Sequence, residues 1–400
     1  MRKIFTVLAM ALIYAISISQ AHAAVKKGEA ALIVSVSAGN GHTMALDDKG
    51  QLWAWGNNYY GQVGDGNIST YHDPIYDDES DDEFQEIVNG RVRNIDNDVY
   101  KPKLIMNNVR AIYARNNSSF AITNDNKLYA WGYNAEGQLG DGTAANKSKP
   151  AFIMDSVLDI ESRWSRTFIT KTDGTLWIAG IKFGAQHNDG TEPTLLYSNV
   201  KKAVYDGATN SNGGLLVLTN DNKVISYMPK DRSIGEYIFF EWKQFSDIVD
   251  ISSAFQQVYV LTKSGDVFGW GPGSELGIEV NEFWVHSPAF IASKIKRILK
   301  GHIFIRNDDA LLIWGTVPEV EDYMNSDGTD GGGSLIGDLI VYGKTPGSIL
   351  KNIKMAEKGE SHFIAVGKDG NVYTWGDNFY GQLGDGSNKK RTVPKRIVFP

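Results

Sequence analysis

A phrase of twelve residues, met three times in one chain, limits what this sequence can fold into more than its length or composition does. Trp55-Gly56-Asn57-Asn58-Tyr59-Tyr60-Gly61-Gln62-Val63-Gly64-Asp65-Gly66 is one copy, the stretch from Trp131 to Gly142 is a second, and that from Trp375 to Gly386 is a third. Such self-similarity marks a repeat architecture, in which each unit buries its apolar face only by stacking on its neighbours.

With the leading Trp as an anchor, equivalent positions fall at Trp55, Trp131, Ala179, Tyr227, Trp270, Trp314 and Trp375, spaced by 76, 48, 48, 43, 44 and 61 residues. This predicts seven units of roughly 45 residues, broken by insertions at about 67–101 and 317–344. Before each anchor stands a turn of Asn, Asp, Lys and Gly type, such as Asp47-Asp48-Lys49-Gly50 and Lys368-Asp369-Gly370. Asn, Asp and Gly tolerate the positive φ of tight hairpins, and residues alternate on both sides, as in Thr43 to Leu46 and Gln51 to Trp55. Another strand precedes each hairpin, for example Val109 to Tyr113, and a short Pro-led strand lies further upstream, at Pro102, Pro150 and Pro346. Four strands per unit is the content of one blade, so the chain is expected to be an all-β, seven-bladed β-propeller.

The two ends suggest how the ring closes. No Pro-led strand precedes the first hairpin, whereas Val393 to Phe399 is a surplus one with no hairpin after it. Residues 394–399 are therefore expected to complete the blade begun by Ala30 to Trp55, the C-terminal strand closing the N-terminal blade and hiding two sheet edges.

Met1 to Ala23 has the form of an export signal: Arg2 and Lys3, an apolar run from Ile4 to Ile18, and Ala21-His22-Ala23 as cleavage site. Cleavage after Ala23 would leave 24–400 as a single propeller domain, periplasmic or secreted, with no stable membrane insertion. The chain has no Cys, so stability comes from packing, not cross-links, and thiol chemistry is excluded. Taking Arg2 and Lys3 from the 40 basic residues leaves 38 against 47 acidic ones, which argues against nucleic acid as a partner.

The Trp-Gly-x-Asn-x-x-Gly-Gln-Leu-Gly-Asp-Gly phrase, with Gly39-Asn40-Gly41-His42 and Gly359-Glu360-Ser361-His362 upstream, resembles the repeats of the regulator of chromosome condensation family. The resemblance covers residues 30–399, though only the first, second and seventh units carry the full phrase. It implies a seven-bladed propeller. The family's nuclear founder exchanges nucleotide on a small GTPase, and its secreted bacterial members imply a protein-binding ring face.

The glycines of the phrase do not make a phosphate cradle, because Asp65, Asp141 and Asp385 stand where a Lys would be useful and no helix follows. His42 and His362 share a register at which other units hold Ser118, Arg166, Gly214, Gln257 and Gly301, and are read as polar groups bonding neighbouring backbone, without a third metal ligand. Asp327 to Gly333 fails the spacing of a calcium loop, and the acidic run Asp77, Asp78, Glu79, Asp81, Asp82, Glu83 and Glu86 reads as a solvated loop. No Gly-x-Ser-x-Gly elbow or His-Glu-x-x-His is present. Tyr59, Tyr60, Phe379 and Tyr380 occupy the two variable positions of the phrase and are the candidate partner-binding residues. The expectation is an exported, monomeric, non-enzymatic scaffold without cofactor or metal that binds a protein. The alternatives are an envelope lyase or hydrolase with a site in the central channel, and a guanine-nucleotide exchange factor by family analogy.

Overall fold

The computed structural model describes residues 32–72, 86–88, 91–94, 98–163, 165–181, 190–206, 214–229, 237–245, 247–253, 257–272, 276, 284–299, 303–308, 311–313, 347–348 and 352–400. They contain seven four-stranded antiparallel sheets, each made of strands that follow one another in the chain apart from the insertion in the first. Blade 1 is Ile33–Ala38, His42–Asp47, Leu52–Gly56 and Val99–Met106, and blade 2 is Val109–Arg115, Ser118–Thr123, Leu128–Gly132 and Lys147–Met154. Blade 3 runs Val157–Arg163, Arg166–Lys171, Leu176–Gly180 and Thr194–Tyr197; blade 4 runs Val200–Asp206, Gly214–Thr219, Val224–Pro229 and Tyr237–Glu241. Blade 5 is Ile248–Ser253, Val258–Thr262, Val267–Pro272 and Trp284–Ala292, and blade 6 is Ile295–Leu299, Ile303–Arg306, Leu311–Ile313 and Gly347–Ser348. Ile353–Lys358, His362–Gly367, Val372–Gly376 and Arg391–Ile397 make blade 7. The first strand of each blade lies against the next blade, and that of blade 1 against blade 7, so the sheets close into a ring with their first strands innermost.

Strand pairing corrects the expected closure. Arg391–Ile397 pairs with Val372–Gly376 of its own blade, with Val372 opposite Ile397 and Thr374 opposite Lys395, while the fourth strand of blade 1 is Val99–Met106. Residues 394–399 do not complete the N-terminal blade. Pro102, Pro150 and Pro394 lie in strands that follow a hairpin and bond to its third strand as the outermost member of that sheet. An outer edge leaves one row of N–H groups unpaired, so a residue without an N–H fits there. Unit and blade therefore coincide along the chain, and neither end lacks a strand.

The seam between blades 7 and 1 closes by packing instead. Ile33, Val36, Ala45 and Trp55 bury against Ile364, Val366, Val372 and Ile397. Phe399 meets Trp53 and Trp55 edge-on, with ring centres 6.2 and 5.8 Å apart. Four of the seven anchors, Trp55, Trp131, Trp270 and Trp375, are among the largest fully buried side chains, and Ala179 and Tyr227, both buried, stand at the equivalent places in blades 3 and 4.

Two local devices recur. The hairpin turns carry a left-handed residue at Gly50, Asn126, Gly174, Asn222, Gly265 and Gly370, as their composition requires. The first strand of every blade holds a β-bulge one residue in, which turns Leu158 and Val249 outward to 41% and 43% exposure and adds to the twist that lets seven sheets stack around an axis. The first insertion forms a small sheet from Thr70–His72, Arg91–Asn94 and Glu86–Val88, and ends before Asp98 because Val99 to Lys101 belong to blade 1. Residues 1–31, the acids from Asp77 to Glu83, Gly301, Trp314, Pro346 and the second insertion lie outside the described residues.

Candidate interface at the loop face of blades 7, 1 and 2

Antiparallel order sends the hairpin turns to one end of the ring, and the connections between first and second and between third and fourth strands to the other. At this second end the two connections of a blade are tied together: Asn57 N–H donates to the Gly41 carbonyl at 2.8 Å, and Tyr133 and Asp377 N–H to Asn117 and Ser361 at 2.9 Å. The repeated phrase lies here.

Each invariant polar residue of the phrase has a bonding partner that fixes the loop. Asn58 Oδ1 accepts from Val63 N–H at 3.1 Å while its Nδ2 donates to Asp65, and Asn134 and Asn378 do the same with Leu139 and Asp141, and with Leu383 and Asp385. Gln62, Gln138 and Gln382 accept through Oε1 from the N–H two residues earlier, at 2.7, 3.0 and 2.9 Å. Asp65 pairs with Lys103 at 2.7 Å, Asp141 with Lys147 at 2.9 Å, and Asp385 with Arg391. Burial pushes the Asp65 and Asp141 carboxyls up, but the bonds from the lysines and from Asn67 and Thr143 outweigh it and hold both below the usual range.

The phrase also clasps the next blade. Gln62 of blade 1 accepts, at its carbonyl, the Trp131 indole at 3.0 Å and the Ser119 hydroxyl at 2.6 Å, both from blade 2. Gln382 of blade 7 accepts the Trp55 indole at 2.9 Å and the Thr43 hydroxyl at 2.8 Å, both from blade 1. His42 Nε2 lies 2.9 Å from Ser119 Oγ and His362 Nε2 lies 2.8 Å from Thr43 Oγ1. Each hydroxyl gives its one proton to a carbonyl, so it must accept from the imidazole, which fixes both histidines as Nε2–H tautomers. The histidine partner is thus a side-chain hydroxyl of the next blade, not the backbone expected from the sequence. Burial, and for His42 also the charge of His362, hold His42 down to about 3; burial holds His362 down to about 4. Gly384 makes room for the clasp: its φ is +71°, and a methyl group there would stand 2.6 Å from the Trp55 Nε1.

The four aromatic candidates divide into two kinds. Tyr60 packs edge-on to Tyr133 of blade 2 with centres 4.8 Å apart, and the Tyr380 ring lies over Gly41 of blade 1, where a Cβ would be 3.0 Å away. Tyr59 rests on Tyr60 at 4.6 Å and Phe379 on Tyr380 at 4.9 Å, and Phe379 is 36% exposed. The second aromatic of each pair therefore leans on the following blade and carries the first at the surface. Tyr133 and Tyr100, whose ring lies against Gly381, extend the row; sequence reasoning missed them because neither occupies the variable pair. An open cavity of about 520 Å³ beside the row is lined by Asp65, Asp98, Tyr100, Lys101, Lys103 and Gly386, among others.

Charged groups around the axis hold one another. Arg115 of blade 2 reaches Glu357 of blade 7 at 2.6 Å, passing Ser37 of blade 1, and both ends are about one-tenth exposed. Burial opposes the guanidinium charge, but Glu357 and then Glu161 more than restore it. Tyr113 donates to Asp159 at 2.6 Å and Lys202 to Asp250 at 2.6 Å, each across a blade boundary. Among the described residues no three metal-ligating side chains gather, and no helix is long and apolar enough to cross a membrane.

Two family models described as regulator of chromosome condensation (RCC1) repeat match the chain, one over residues 49–80, 125–163 and 369–400 and the other over 33–62 and 109–138. The chain carries RCC1 repeats. The matched segments lie in blades 1, 2 and 7 and reach into the first strand of blade 3; the clasp has both indole and hydroxyl where blade 7 holds blade 1 and where blade 1 holds blade 2. The chain is 25% identical over 306 residues to the human E3 ubiquitin-protein ligase HERC2, covering 70% of this chain and 5% of HERC2. It is 31% identical over 107 residues to the guanine nucleotide exchange factor SRM1 of Saccharomyces cerevisiae, 26% of this chain and 22% of that one. It is 30% identical over 116 residues to the ultraviolet-B receptor UVR8 of Arabidopsis thaliana, 29% of this chain and 21% of the receptor. The chain thus spans only a small part of each of these relatives. Among solved structures, yeast RCC1 (Prp20) bound to Kap60 has a TM-score of 0.49 and 16% identity, over 92% of this chain and 75% of that one. In this RCC1-repeat ring the phrase lapses after blade 2: Ala179 replaces the anchoring Trp, so the Gln138 carbonyl accepts the Thr167 hydroxyl at 2.7 Å with no indole beside it.

Proposed function

We propose that the propeller is an exported, non-enzymatic scaffold that binds another protein through the loop face of blades 7, 1 and 2. The observation that carries this reading is the placement of Tyr59 and Phe379. Their rings stand at the variable positions of the phrase, resting on Tyr60 and Tyr380, on loops pinned by Asn58, Gln62, Asn378 and Gln382. Aromatic rings on rigid loops lose little freedom on binding and present large contact area, which suits them as anchors for a protein partner. The mutual pairing of Arg115 with Glu357 and Lys202 with Asp250 favours binding over hydrolysis at the axis, since groups bonded to one another are poorly available to a substrate. HERC2, SRM1 and UVR8 bear names of three different activities, so the shared repeat itself is compatible with a scaffold role.

A photo-crosslinking residue placed at Phe379 in the secreted or periplasmic protein tests the reading. Capture of a defined protein from Phe379 but not from Lys49, on the opposite face, and its loss in Tyr59→Ala, is the expected result. Equal labelling from both positions would overturn it. Export is tested separately by N-terminal sequencing of envelope and culture fractions, with Ala24 expected as the first residue.

A further inference from the structure

Blade 1 is held on both sides by a clasp of the same construction, and each clasp contains a histidine sealed from water. His362 of blade 7 donates to Thr43 of blade 1, and His42 of blade 1 donates to Ser119 of blade 2. In both rings the other nitrogen, Nδ1, is buried with no hydrogen-bond partner. The space beside it is occupied by backbone: a Cβ on Gly39 would collide with the His42 ring, and one on Gly359 with the His362 ring. A proton added at Nδ1 would find no hydrogen-bond partner in place, and the resulting charge would sit in a site closed to water.

Among the described residues no charged side chain acts on either ring apart from the other histidine. Thr43, Ser119, Gly39 and Gly359 lie against the rings, and the Gln62 and Gln382 carbonyls hold the two hydroxyls in place. Glu360, two residues before His362, bonds to the Gly39 carbonyl through its backbone N–H, and burial raises its carboxyl above the usual range, with Lys358 offsetting part of the rise. The charge acting on His42 is that of His362 itself, so protonating one ring makes protonating the other harder while the seam stays shut.

Among the described strands, those of blades 7 and 1 are not consecutive in the chain, so no described connection crosses the seam between them. We infer that blade 1 is an acid-releasable wedge: uptake of a second proton by His42 and His362 favours a state in which the seam between blades 7 and 1 has opened and water reaches both rings. The two histidines occur at this register only in these two blades, the others carrying Ser118, Arg166, Gly214 and Gln257 where the register is described. The inference stands whether or not the loop face binds a partner, since it concerns how the ring is held.

Amide hydrogen exchange on the intact protein, corrected for intrinsic rates, tests it. From pH 7 to pH 5 the opening constant of blade 1 amides such as Met44 and Leu46 should rise about 25-fold if one histidine protonates on opening, and about 600-fold if both do. Leu216 and Leu218 of blade 4, a blade without a described histidine, should stay nearly flat. His42→Gln/His362→Gln keeps a terminal N–H donor but cannot titrate, and should abolish the slope. If that variant fails to fold, the wild-type comparison between blades still decides. Nitrogen-15 NMR of the wild-type rings should show the Nε2–H tautomer at pH 7. Equal slopes in blades 1 and 4, a slope that survives in the variant, or Nδ1–H tautomers would each overturn the inference.

Discussion

The indole N–H of Trp55 in blade 1 donates to the carbonyl of Gln382 in blade 7 at 2.9 Å, across 327 positions of chain. The contact repeats between adjacent blades 1 and 2, where Trp131 donates to Gln62 at 3.0 Å. Trp55→Phe and Trp131→Phe each remove one buried N–H while leaving the carbonyl its hydroxyl donor. Each is expected to cost about 1–2 kcal/mol in urea denaturation, with similar values for the two. A silent Trp55→Phe beside a costly Trp131→Phe would mean that the seam does not depend on this bond.

Gly384 and Gly142 are the tenth and twelfth residues of the phrase in blades 7 and 2, with φ of +71° and +80°, and their surroundings differ. A methyl on Gly384 would press on the Trp55 indole at 2.6 Å, whereas the nearest atom to one on Gly142 is the Glu192 carboxylate at 3.7 Å. Gly142→Ala should cost about 1 kcal/mol for the left-handed backbone alone. Gly384→Ala should cost about 2 kcal/mol more, because the indole must move from its bond. Thermal unfolding of the two variants measures the difference.

Arg115 and Glu357 form an ion pair between blades 2 and 7, nearly shut off from solvent. Glu357→Gln leaves the guanidinium without its carboxylate and is expected to destabilise by about 3–5 kcal/mol, while Arg115→Met/Glu357→Met should cost far less or nothing. A double-mutant cycle by chemical denaturation gives both numbers. Additive losses would mean that the two charges do not depend on each other.

Removing residues 391–400 should expose the third strand of blade 7, not the first strand of blade 1. Faster amide exchange at Tyr373 and Thr374, with Val36 and Ser37 still protected by Met44 and Ala45, is the expected pattern, together with a lower melting temperature from the loss of Ile397 and Phe399.

Acid should weaken the fold below pH 6.5. Both histidines have folded-state pKa values below their ordinary 6.5, at about 3 for His42 and about 4 for His362, so below pH 6.5 the unfolded chain binds more protons. Their contribution is whole above pH 6.5 and declines as pH falls towards 4. At pH 5 the expected loss is about 2 kcal/mol per imidazole, read from urea midpoints between pH 7 and pH 5.

The hairpins, the seven-fold count and the Trp anchors were legible because turn chemistry and alternation are local, and a unit repeated seven times states them seven times. The phase of the repeat was not. Pro102 stands before one hairpin and after another, and only its bonding to Leu52–Gly56 says which blade owns it. The roles of His42 and His362 were hidden for a similar reason: their partners, Ser119 and Thr43, are small hydroxyl residues in other blades, with no signature of their own. Tyr59 and Phe379 could be picked out because they break the phrase, whereas Tyr100 joins their row only through the contact of its ring with Gly381.

Since each outer strand stays with its own hairpin, every blade is one uninterrupted run of chain apart from the loops it carries. Duplication or loss of a whole unit in such a gene would leave no strand orphaned. New termini cut at any of the crossings between blades would likewise leave all seven sheets intact, a freedom that rings sealed by a strand shared between both ends do not have.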